Sequence, residues 1–447
     1  MKKSSKIITI RDFHAVKLNN KRDIYVYLPQ SYDTDSNKRY PVLYMHDGQY
    51  AFEPSKNTGS SWNIHKAADR LAAGGRMEEI IIVAVPNMSA ARVSEYVHYD
   101  ISFSRSMNLQ PTGLLYEDFL VNDLKPYIDA TFRTLTDSGN TALAGSSMGG
   151  FVTYNLGLRR PDVFGNLAIM SPFFVYVDPD TLEELRDYKV YKGKHPIKIW
   201  IDIGEVEGLL LDKHVREVIE ALTKESYKAG KDICYYCVPG GAHFEKDWAE
   251  RIHAPLLYFF GDIGKAEAVQ MYGRDIVGLK GMKAYTNPVV KYDSGFIMSD
   301  INGEYVIDHP DVLEVKRDGL IIPKKEGTTK VTFASHGLKA SKIYTVIGEL
   351  PETVILNIKV RVPENTPDDA RITMSFLELK KIEKGIYGGK FTLPRDCAFA
   401  FKVSIGVGFE NPIVEQDMDR NDMEYRRIKV TDDMELNLEV ANWKGIF

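Results

Sequence analysis

The chain has 447 residues, 44% of them hydrophobic and 27% charged, and a net charge of −5 at pH 7. This composition is ordinary for a soluble globular protein, and the length predicts two or three domains of roughly 150 residues each. The balanced charge argues against a nucleic-acid partner, because proteins that bind nucleic acids usually carry a basic patch or arm.

The N-terminus reads MKKSSKIITIRDFH and lacks the apolar run that follows the first lysines of a signal peptide. No segment approaches the roughly 18 consecutive apolar residues of a membrane-spanning helix, so we expect a soluble, cytoplasmic protein with no membrane partner. The three cysteines, Cys234, Cys237 and Cys397, are an odd and sparse set that suits a reducing compartment. Cys234 and Cys237 fall within one predicted strand and should point to opposite faces, so neither a disulfide nor a shared metal is expected.

Strand-like and helix-like segments alternate over the first ~260 residues, a pattern typical of a mostly parallel sheet covered by helices. Strands are predicted at Asp23–Leu28, Val42–His46, Ile80–Val85, Thr141–Ala144, Ile197–Ile203 and Asp232–Val238. Helices are predicted at Tyr116–Thr131, Gly149–Arg159, Leu211–Ala229 and Glu245–Phe260. Several of these strands are continuous apolar runs, as expected for strands that are buried on both faces.

The segment Gly145–Gly149 (GSSMG) matches the pattern G-x-S-x-G and lies between a predicted strand and a predicted helix. In that context the serine sits on a strained turn, with its hydroxyl exposed at the edge of the sheet. Ser147 is therefore the predicted nucleophile. The following helix offers free N–H groups and positive partial charge, so the Met148 N–H is a predicted donor to a developing oxyanion.

A serine nucleophile needs a base, and His243 is the histidine best placed for that role. It lies in the segment PGGAHF, directly after the predicted strand Asp232–Val238 and before a predicted helix. From there it can approach Ser147 along the same edge of the sheet. The chain order of serine, acid and histidine is the order expected with this serine motif.

The acid that orients the histidine should follow the predicted strand Ile197–Ile203. Glu207 lies in the turn GEVEG just past the end of that strand, where a carboxylate can reach a neighbouring loop. Asp202 lies inside the strand, which commits its side chain to one face, and Glu205 is a third option. The pattern favours Glu207 and leaves the other two carboxylates open.

The second oxyanion donor is expected in the loop His46–Tyr50 (HDGQY), which follows an early central strand. Gly48 permits close approach of the backbone, so the Gln49 N–H is the first choice and the Gly48 N–H the second. Arg92 and Glu95, which follow another strand, are expected either to line the substrate rim or to form an ion pair. No metal-ligand spacing or nucleotide-binding motif is found at a strand end, so a mechanism without a metal or cofactor is predicted.

After about residue 265 helical periodicity fades, and short alternating strands separated by turn residues take over. Hairpin turns are predicted at Asp300–Gly303 and Lys316–Gly319. The sequence therefore predicts an α/β domain over residues 1–265, an Ig-like β-sandwich over 270–348 and a second β-sandwich over 351–447. The two β domains are also the expected surface of any homodimer.

Residues ~20–262 resemble an esterase family of α/β hydrolases that includes feruloyl and acetylxylan esterases, siderophore trilactone esterases, S-formylglutathione hydrolase and the mycolyltransferase antigens. The matching segments are RDIYVYLPQSYD, YPVLYMHDGQYAF, RVSEY, YEDFLVNDLKPYIDATF, AGSSMGGF, RRPDVFG, GEVE and GGAHFEKDW. The resemblance implies an α/β-hydrolase fold for the first domain. It also implies a triad of Ser147, Glu207 and His243, with Gln49 and Met148 as oxyanion donors.

The last ~95 residues resemble a starch-binding-type carbohydrate module, through VRVPENTPDDARITM, FTLPRDCAFAFKVSIG, ENPIVEQD, YRRIKV and LNLEVANW. Such modules stack sugars on exposed tryptophans. Here Ser375–Tyr387 contains no tryptophan, Trp443 is a candidate for the core, and Phe409 is a further aromatic. Carbohydrate binding therefore competes with a spacer or dimer-forming role. The middle domain, through VLEVKRDGLIIPKKEGTTKVTF, is similar to bacterial Ig-like repeats and is expected to be a spacer.

Together these patterns predict a serine carboxylic-ester hydrolase that removes acetyl or feruloyl groups from carbohydrate esters through an acyl-enzyme. Its partner would be a small-molecule or oligosaccharide ester. A siderophore trilactone esterase is the alternative among hydrolases. A binding or scaffold protein with a non-catalytic hydrolase-like domain is the alternative outside them.

Overall fold

The computed structural model describes residues 4–54, 59–178, 180–406 and 413–446. Its first part is an α/β domain. The strands of this domain are β1 (Lys6–Ala15), β2 (Asn20–Leu28), β3 (Val42–His46), β4 (Ile81–Val85), β5 (Thr141–Ser147), β6 (Asn166–Pro172), β7 (Val175–Val177), β8 (Glu184–Arg186), β9 (Lys198–Val206) and β10 (Ile233–Ala242).

The helices of this domain are α1 (Ile64–Ala73), α2 (Arg92–Tyr96), α3 (Ser102–Ser106), α4 (Gly113–Asp118), α5 (Lys125–Thr131), α6 (Met148–Arg159), α7 (Asp212–Lys224), α8 (Glu245–Arg251) and α9 (His253–Phe260). A π-helical segment, Phe119–Leu124, joins α4 to α5. Short 3₁₀ turns lie at Gly48–Tyr50, Ser89–Ala91 and Ser138–Asn140. Within the described ranges, no helix has the length and apolar character required to cross a bilayer.

The rest of the chain is all-β. The middle part contains β11 (Ala266–Tyr272), β12 (Ile276–Gly281), β13 (Asn287–Tyr292), β14 (Ile297–Ser299), β15 (Glu304–Ile307), β16 (Leu313–Val315), β17 (Ile321–Pro323), β18 (Gly327–Ser335) and β19 (Leu338–Leu350). The C-terminal part contains β20 (Thr353–Arg361), β21 (Ile372–Met374), β22 (Leu377–Glu383), β23 (Ile386–Pro394), β24 (Cys397–Phe401), β25 (Val403–Ile405), β26 (Ile413–Gln416), β27 (Arg426–Val430), β28 (Met434–Glu439) and β29 (Asn442–Trp443).

The strands and helices predicted in the first part are all found, although the helix predicted at Leu211–Ala229 ends at Lys224 and the one predicted at Tyr116–Thr131 contains the π-helical segment. The strand Val42–His46 agrees at both ends, and the helix predicted at Glu245–Phe260 is divided at Ile252 into α8 and α9. The elements that the sequence prediction omitted are β1, the buried central strand β6, the short strands β7 and β8, and helices α1, α2 and α3.

A sheet of 11 strands forms the centre of the fold, in the order β1-β2-β4-β3-β5-β6-β9-β10-β14-β13-β11. The strands from β4 to β10 in that order are parallel to their neighbours, so their carboxyl ends meet at one edge. One face packs against a core formed with α4 to α7, and the other against a core formed with α1, α8 and α9. Cys234 and Cys237 lie in these opposite cores with free thiols, as predicted.

The sheet extends beyond β10 into the middle part of the chain. Strand β14 pairs antiparallel with β10, and the Cys237 N–H donates to Ser299 Oγ at 3.0 Å. Asn287 Nδ2 donates to the Cys237 carbonyl at the same distance, 3.0 Å. Strands that follow residue 265 thus cover an edge of the α/β sheet whose backbone groups would otherwise lack partners.

The other strands of the middle part form a four-stranded sheet, β12-β19-β18-β15, and the pair β16-β17. The hairpin predicted at Lys316–Gly319 is confirmed, because β16 and β17 pair antiparallel around it. The hairpin predicted at Asp300–Gly303 is wrong, because β14 and β15 belong to different sheets. There the Asn302 N–H donates to Asp300 Oδ1 at 2.8 Å, a local bond that turns the chain from one sheet to the next.

The C-terminal part has an eight-stranded sheet, β28-β20-β23-β22-β21-β25-β26-β29, and a ribbon of β24 and β27. Both contribute to one apolar core that includes Phe399 and Trp443. Trp443 is 0% exposed, and its Nε1 donates to Thr366 Oγ1 at 2.8 Å. It is therefore a core residue that cannot stack on a sugar, while Phe409 lies outside the described residues.

Candidate active site

Polar side chains collect at the carboxyl edge of the sheet, where the neighbouring strands β5, β6, β9 and β10 end. Ser147 is the last residue of β5 and pairs with Pro172, the last residue of β6. Ser171 precedes that proline, Glu207 directly follows β9, and His243 directly follows β10. Binding and reacting groups of open parallel sheets characteristically lie at this edge.

Ser147 occupies a strained turn, with φ 57° and ψ −125°, values that are rare for a residue with a side chain. The turn is closely packed. A Cβ on Gly145 would lie 2.6 Å from the Gly149 carbonyl carbon, and a Cβ on Gly149 would lie 3.0 Å from Asp47 Oδ2. The two glycines of the motif therefore allow the backbone to reach a conformation that leaves Ser147 partly exposed.

Helix α6 begins directly behind Ser147. All of its residues from Met148 to Leu158 are buried, which fixes the direction of the helix axis. The Met148 N–H belongs to the first turn, whose N–H groups lack partners within the helix. The positive end of the helix dipole is therefore directed at any negative charge that develops beside Ser147.

His243 and Glu207 are in direct contact, with 3.0 Å between His243 Nδ1 and Glu207 Oε2. The other oxygen, Glu207 Oε1, accepts from the Gly204 N–H at 2.7 Å, so the turn closes on its own carboxylate. Burial opposes ionisation of Glu207, but the bond to His243 and the charge of Arg251 outweigh it and hold the pKa of Glu207 below its usual value. An ionised, fixed carboxylate therefore lies against the imidazole.

Asp202, the second acid that the sequence left open, lies inside β9 and is fully buried. It accepts from Trp200 Nε1 at 2.7 Å and from Arg251 Nε at 3.1 Å. The Ser171 N–H also donates to it, at 3.2 Å. Burial raises the pKa of Asp202 despite the nearby guanidinium. Its contacts fit a structural role in the floor of the site.

Glu205, the third acid, points away from the imidazole toward other partners. Its Oε2 accepts from the Gly240 N–H at 3.1 Å, and its Oε1 pairs with Lys429 Nζ at 2.5 Å. Of the three carboxylates, Glu207 is therefore the one bonded to His243.

The loop with the predicted second oxyanion donor is pressed against the end of β4. A Cβ on Gly48 would lie 2.3 Å from the Val85 nitrogen, so only glycine fits there. Gln49 follows in the first turn of the 3₁₀ segment, and its Oε1 accepts from the Asn87 N–H at 3.1 Å. The loop thus brings the N–H groups of Gly48 and Gln49 to the edge at which β5 ends.

Arg92 holds this loop from the other side. Its Nε and Nη2 donate to the two oxygens of Asp47 at 2.7 and 2.8 Å. Burial opposes ionisation of Asp47, but the charge and hydrogen bonds of Arg92 outweigh it and keep its pKa below the usual value. Arg92 and Glu95 do not form an ion pair with each other. Glu95 pairs instead with Arg22 in the interior, at 2.8 Å.

A family model described as Putative esterase matches residues 15–259. The chain belongs to this family. It is 30% identical over 211 residues to a protein of Xylanibacter ruminicola named endo-1,4-beta-xylanase/feruloyl esterase, and this match covers 46% of the chain and 25% of that relative. It is 26% identical over 222 residues to the uncharacterized protein YjcH of Bacillus subtilis, and this match covers 48% of the chain and 83% of YjcH.

A solved structure of a ferulic acid esterase from Anaeromyces mucronatus, in complex with ferulic acid, is also similar to the chain. Identity is 21% and the TM-score 0.43, over 58% of this chain and 91% of the other. The esterase spans only a quarter of the length of its Xylanibacter relative.

A buried network behind Glu207 was not predicted from the sequence. Ser171 Oγ donates to Glu207 Oε1 at 2.7 Å and accepts from Trp248 Nε1 at 2.9 Å and Arg251 Nη2 at 2.6 Å. The Trp248 ring also lies nearly perpendicular to that of His243, with 5.0 Å between centroids. The available signal was the spacing of Trp248 and Arg251, three residues apart on one face of α8. In the described part of the esterase, no cluster of three or more His, Cys, Asp or Glu side chains is arranged for a metal.

Proposed function

We propose that this esterase is a serine carboxylic-ester hydrolase in which Ser147 is the nucleophile, His243 the general base and Glu207 the acid that orients it. The observation that carries the proposal is the 3.0 Å contact between His243 Nδ1 and Glu207 Oε2, beside the strained turn of Ser147. An ionised Glu207 can only accept a hydrogen bond, so Nδ1 carries the proton. His243 Nε2 is then free to take the proton of Ser147.

Acylation begins when Ser147 Oγ attacks the ester carbonyl carbon and passes its proton to His243 Nε2. The negative charge that develops on the carbonyl oxygen is stabilised by the N–H groups of Met148 and Gln49. His243 then gives its proton to the departing alkoxide, and the acyl group stays on Ser147.

Deacylation repeats these steps with water. His243 removes a proton from a water molecule, which attacks the acyl carbon, and the proton returns to Ser147 Oγ as the carboxylic acid leaves. Glu207 remains ionised throughout and stabilises the imidazolium in both half-reactions.

The proposed substrate is a carbohydrate ester with an acetyl or feruloyl group. The similarity of 46% of the chain to a protein named as a xylanase and feruloyl esterase supports this choice. The resemblance of the C-terminal part to a carbohydrate module supports it as well. Because Trp443 is in the core, we assign recognition of the ester to the rim of the α/β domain rather than to that tryptophan.

Replacement of the nucleophile tests the mechanism. Ser147→Ala should lower kcat on p-nitrophenyl acetate by roughly 10⁴-fold or more, since loss of a triad member leaves only binding and oxyanion stabilisation. Ser146→Ala, one position out of frame, is the matched control and should keep kcat within about threefold of the wild type. Unchanged turnover in Ser147→Ala would overturn the proposal.

A substrate panel tests the ester class. We expect the highest kcat/KM on acetylated xylo-oligosaccharide or methyl ferulate, compared with a short p-nitrophenyl ester and a catecholate trilactone. Preference for the trilactone would instead favour a siderophore esterase. Failure of a fluorophosphonate probe to label Ser147 in the wild type would favour a non-catalytic scaffold.

A further inference from the structure

The C-terminal domain contacts the two loops that carry Glu207 and His243. We name residues 204–210 the acid loop and residues 239–244 the base loop. The acid loop includes the last residues of β9 and the base loop those of β10, and both contact the ribbon of β24 and β27. The contacts include hydrogen bonds to the loop backbones and side-chain ion pairs, and the Phe244 ring also packs on that of Tyr425 with 4.2 Å between centroids.

The acid loop is bound through its backbone and one side chain. The Gly208 N–H donates to the Ala398 carbonyl at 2.7 Å, and the Cys397 thiol donates to the Gly208 carbonyl at 3.3 Å. This short β-bridge begins one residue after Glu207. Lys429 Nζ lies 2.5 Å from Glu205 Oε1 on the other side of Glu207.

The base loop is bound by Arg427. Its Nη1 donates to the Gly240 carbonyl at 2.6 Å, and its Nη2 donates to the Asp247 oxygens at 3.0 and 3.1 Å. Asp247 Oδ1 in turn accepts from the Ala242 N–H at 2.8 Å. A single guanidinium therefore fixes the chain on both sides of His243.

The alternation of side chains along β27 directs these contacts toward the α/β domain. Arg427 and Lys429 are two residues apart on a strand, so they face the same side, which is the side of the α/β domain. The alternate residues face the C-terminal domain itself, where Arg426 Nη2 pairs with Glu415 at 2.8 Å and Ile428 packs against the core.

The two loops are also tied to each other, so a displacement of one displaces the other. The Gly240 N–H donates to Glu205 Oε2 at 3.1 Å. A Cβ on Gly204 would lie 2.3 Å from the Gly241 carbonyl oxygen. This close packing, together with two cationic side chains from β27, leaves little freedom for the contact between Glu207 and His243.

We propose that Arg427 and Lys429 are positioning residues of the esterase: they hold the acid and base loops so that Glu207 and His243 stay in register with Ser147. The C-terminal domain is then a structural part of the active site and not a detachable module. The inference rests on the proposed function, which assigns the roles of Glu207 and His243.

The test compares Arg427→Gln with Arg371→Gln in the full chain. Arg371 is the matched control, because it makes a bidentate pair with Glu378 on the surface of the same domain. Arg427→Gln should lower kcat on p-nitrophenyl acetate roughly 10-fold to 100-fold, as expected when catalytic groups shift slightly. KM should stay within about twofold, since the substitution removes no substrate contact.

Hydrogen–deuterium exchange supplies a readout that does not depend on turnover. In Arg427→Gln the amides of the acid and base loops should exchange faster than in the wild type, and in Arg371→Gln they should not. Arg427→Lys should restore part of kcat relative to Arg427→Gln, because it keeps the charge and one donor nitrogen in place of two. Lys429→Gln should also lower kcat and speed amide exchange of the two loops, but both effects should be smaller than in Arg427→Gln.

The inference is overturned if both Arg427→Gln and Lys429→Gln keep wild-type kcat, or if kcat falls with no change in exchange of the two loops. If Arg427→Gln does not melt cooperatively, Lys429→Gln and Arg427→Lys decide by the same criteria. Absence of turnover and of labelling at Ser147 in the wild type overturns the proposed function instead. The two failures are therefore separable.

Discussion

The two sides of the proposed active site are held by arginines from different parts of the chain. On the oxyanion side, Arg92 of the α/β domain donates hydrogen bonds of 2.7 and 2.8 Å to Asp47, which lies 45 residues away in sequence. On the acid–base side, Arg427 of the C-terminal domain bonds the Gly240 carbonyl at 2.6 Å, 187 residues away. Ser147, the proposed nucleophile, lies on a strained turn that is closely packed at Gly145 and Gly149.

The α/β domain alone supplies the contacts on the oxyanion side, whereas the acid–base side also uses contacts from the C-terminal domain. The strained serine, the buried helix behind it and the loop held by Arg92 all come from residues within the esterase family match. The acid and base loops start from the same sheet, but their outer ends are bonded to residues far outside it. The relative position of His243 and Ser147 therefore depends on both domains, and substitutions can perturb one side of the site at a time.

The largest effect is expected from Glu207→Gln. An amide cannot fix the same imidazole tautomer or stabilise its cation, so kcat should fall roughly 10³-fold to 10⁴-fold. Asp202→Asn, inside the strand that Glu207 follows, is the control, and steady-state kinetics should show a loss of kcat below about tenfold. Its cost should appear instead in urea unfolding, at about 3 kcal/mol, because Arg251 loses a buried partner. A larger kcat loss in Asp202→Asn would reverse the assignment of the two acids.

Gly48→Ala breaks the oxyanion side alone. The new Cβ would lie 2.3 Å from the Val85 nitrogen and 2.4 Å from the Ala84 carbonyl carbon, so the loop must move away from β4. Displacement of an oxyanion donor should slow fluorophosphonate labelling of Ser147 by about 10²-fold. Gly139→Ala, where a Cβ meets only Asp137 Oδ1 at 3.2 Å, should label at the wild-type rate. Equal labelling of both variants would remove this loop from the mechanism.

Arg92→Gln tests whether the oxyanion side is held independently of the acid–base side, which Arg427→Gln perturbs. It leaves Asp47 without its bidentate partner, so we expect faster amide exchange at residues 46–50 and about a tenfold fall in kcat. Exchange in the base loop should stay at the wild-type level, the reverse of the pattern in Arg427→Gln. Faster exchange in all three loops for both variants would show that the two sides are not held separately.

The positions of Ser147 and His243 at the carboxyl edge of the sheet could be predicted because their signals are local. A glycine-flanked serine between a strand and a helix, and a histidine directly after a strand, are visible within a few residues of sequence. Helix α1 was missed although its buried residues have helical spacing, because Ala67 and Ala68 give that face a weak apolar signal. Strand β6 was missed because the apolar run Leu167–Met170 shows no periodicity that distinguishes a buried strand from other buried structure.

The supporting contacts could not be predicted because they join distant segments. Ser171 meets Glu207 across 36 residues, Trp248 across 77 and Arg251 across 80. Nothing in the local pattern of RRIKV distinguishes Arg427, which faces the active site, from Arg426, which faces its own domain. Only the register and direction of β27 against the α/β domain decide that.

The smallest expected effect concerns acid stability on the acid–base side. The pKa of Glu207 in the folded protein lies below 4.5, the ordinary value at which the unfolded chain titrates. Ionised Glu207 therefore stabilises the fold above about pH 4.5, and this contribution is lost as pH falls through the lower, folded pKa. Glu207→Gln should accordingly lose about 2 °C less in Tm than the wild type between pH 7 and pH 4.

The pKa of Glu378 is also lowered, by Arg371, but that pair is exposed and screened, so Glu378→Gln should alter the Tm difference less. Equal slopes for Glu207→Gln and the wild type in differential scanning calorimetry would mean that the contact with His243 adds no stability to the acid–base side.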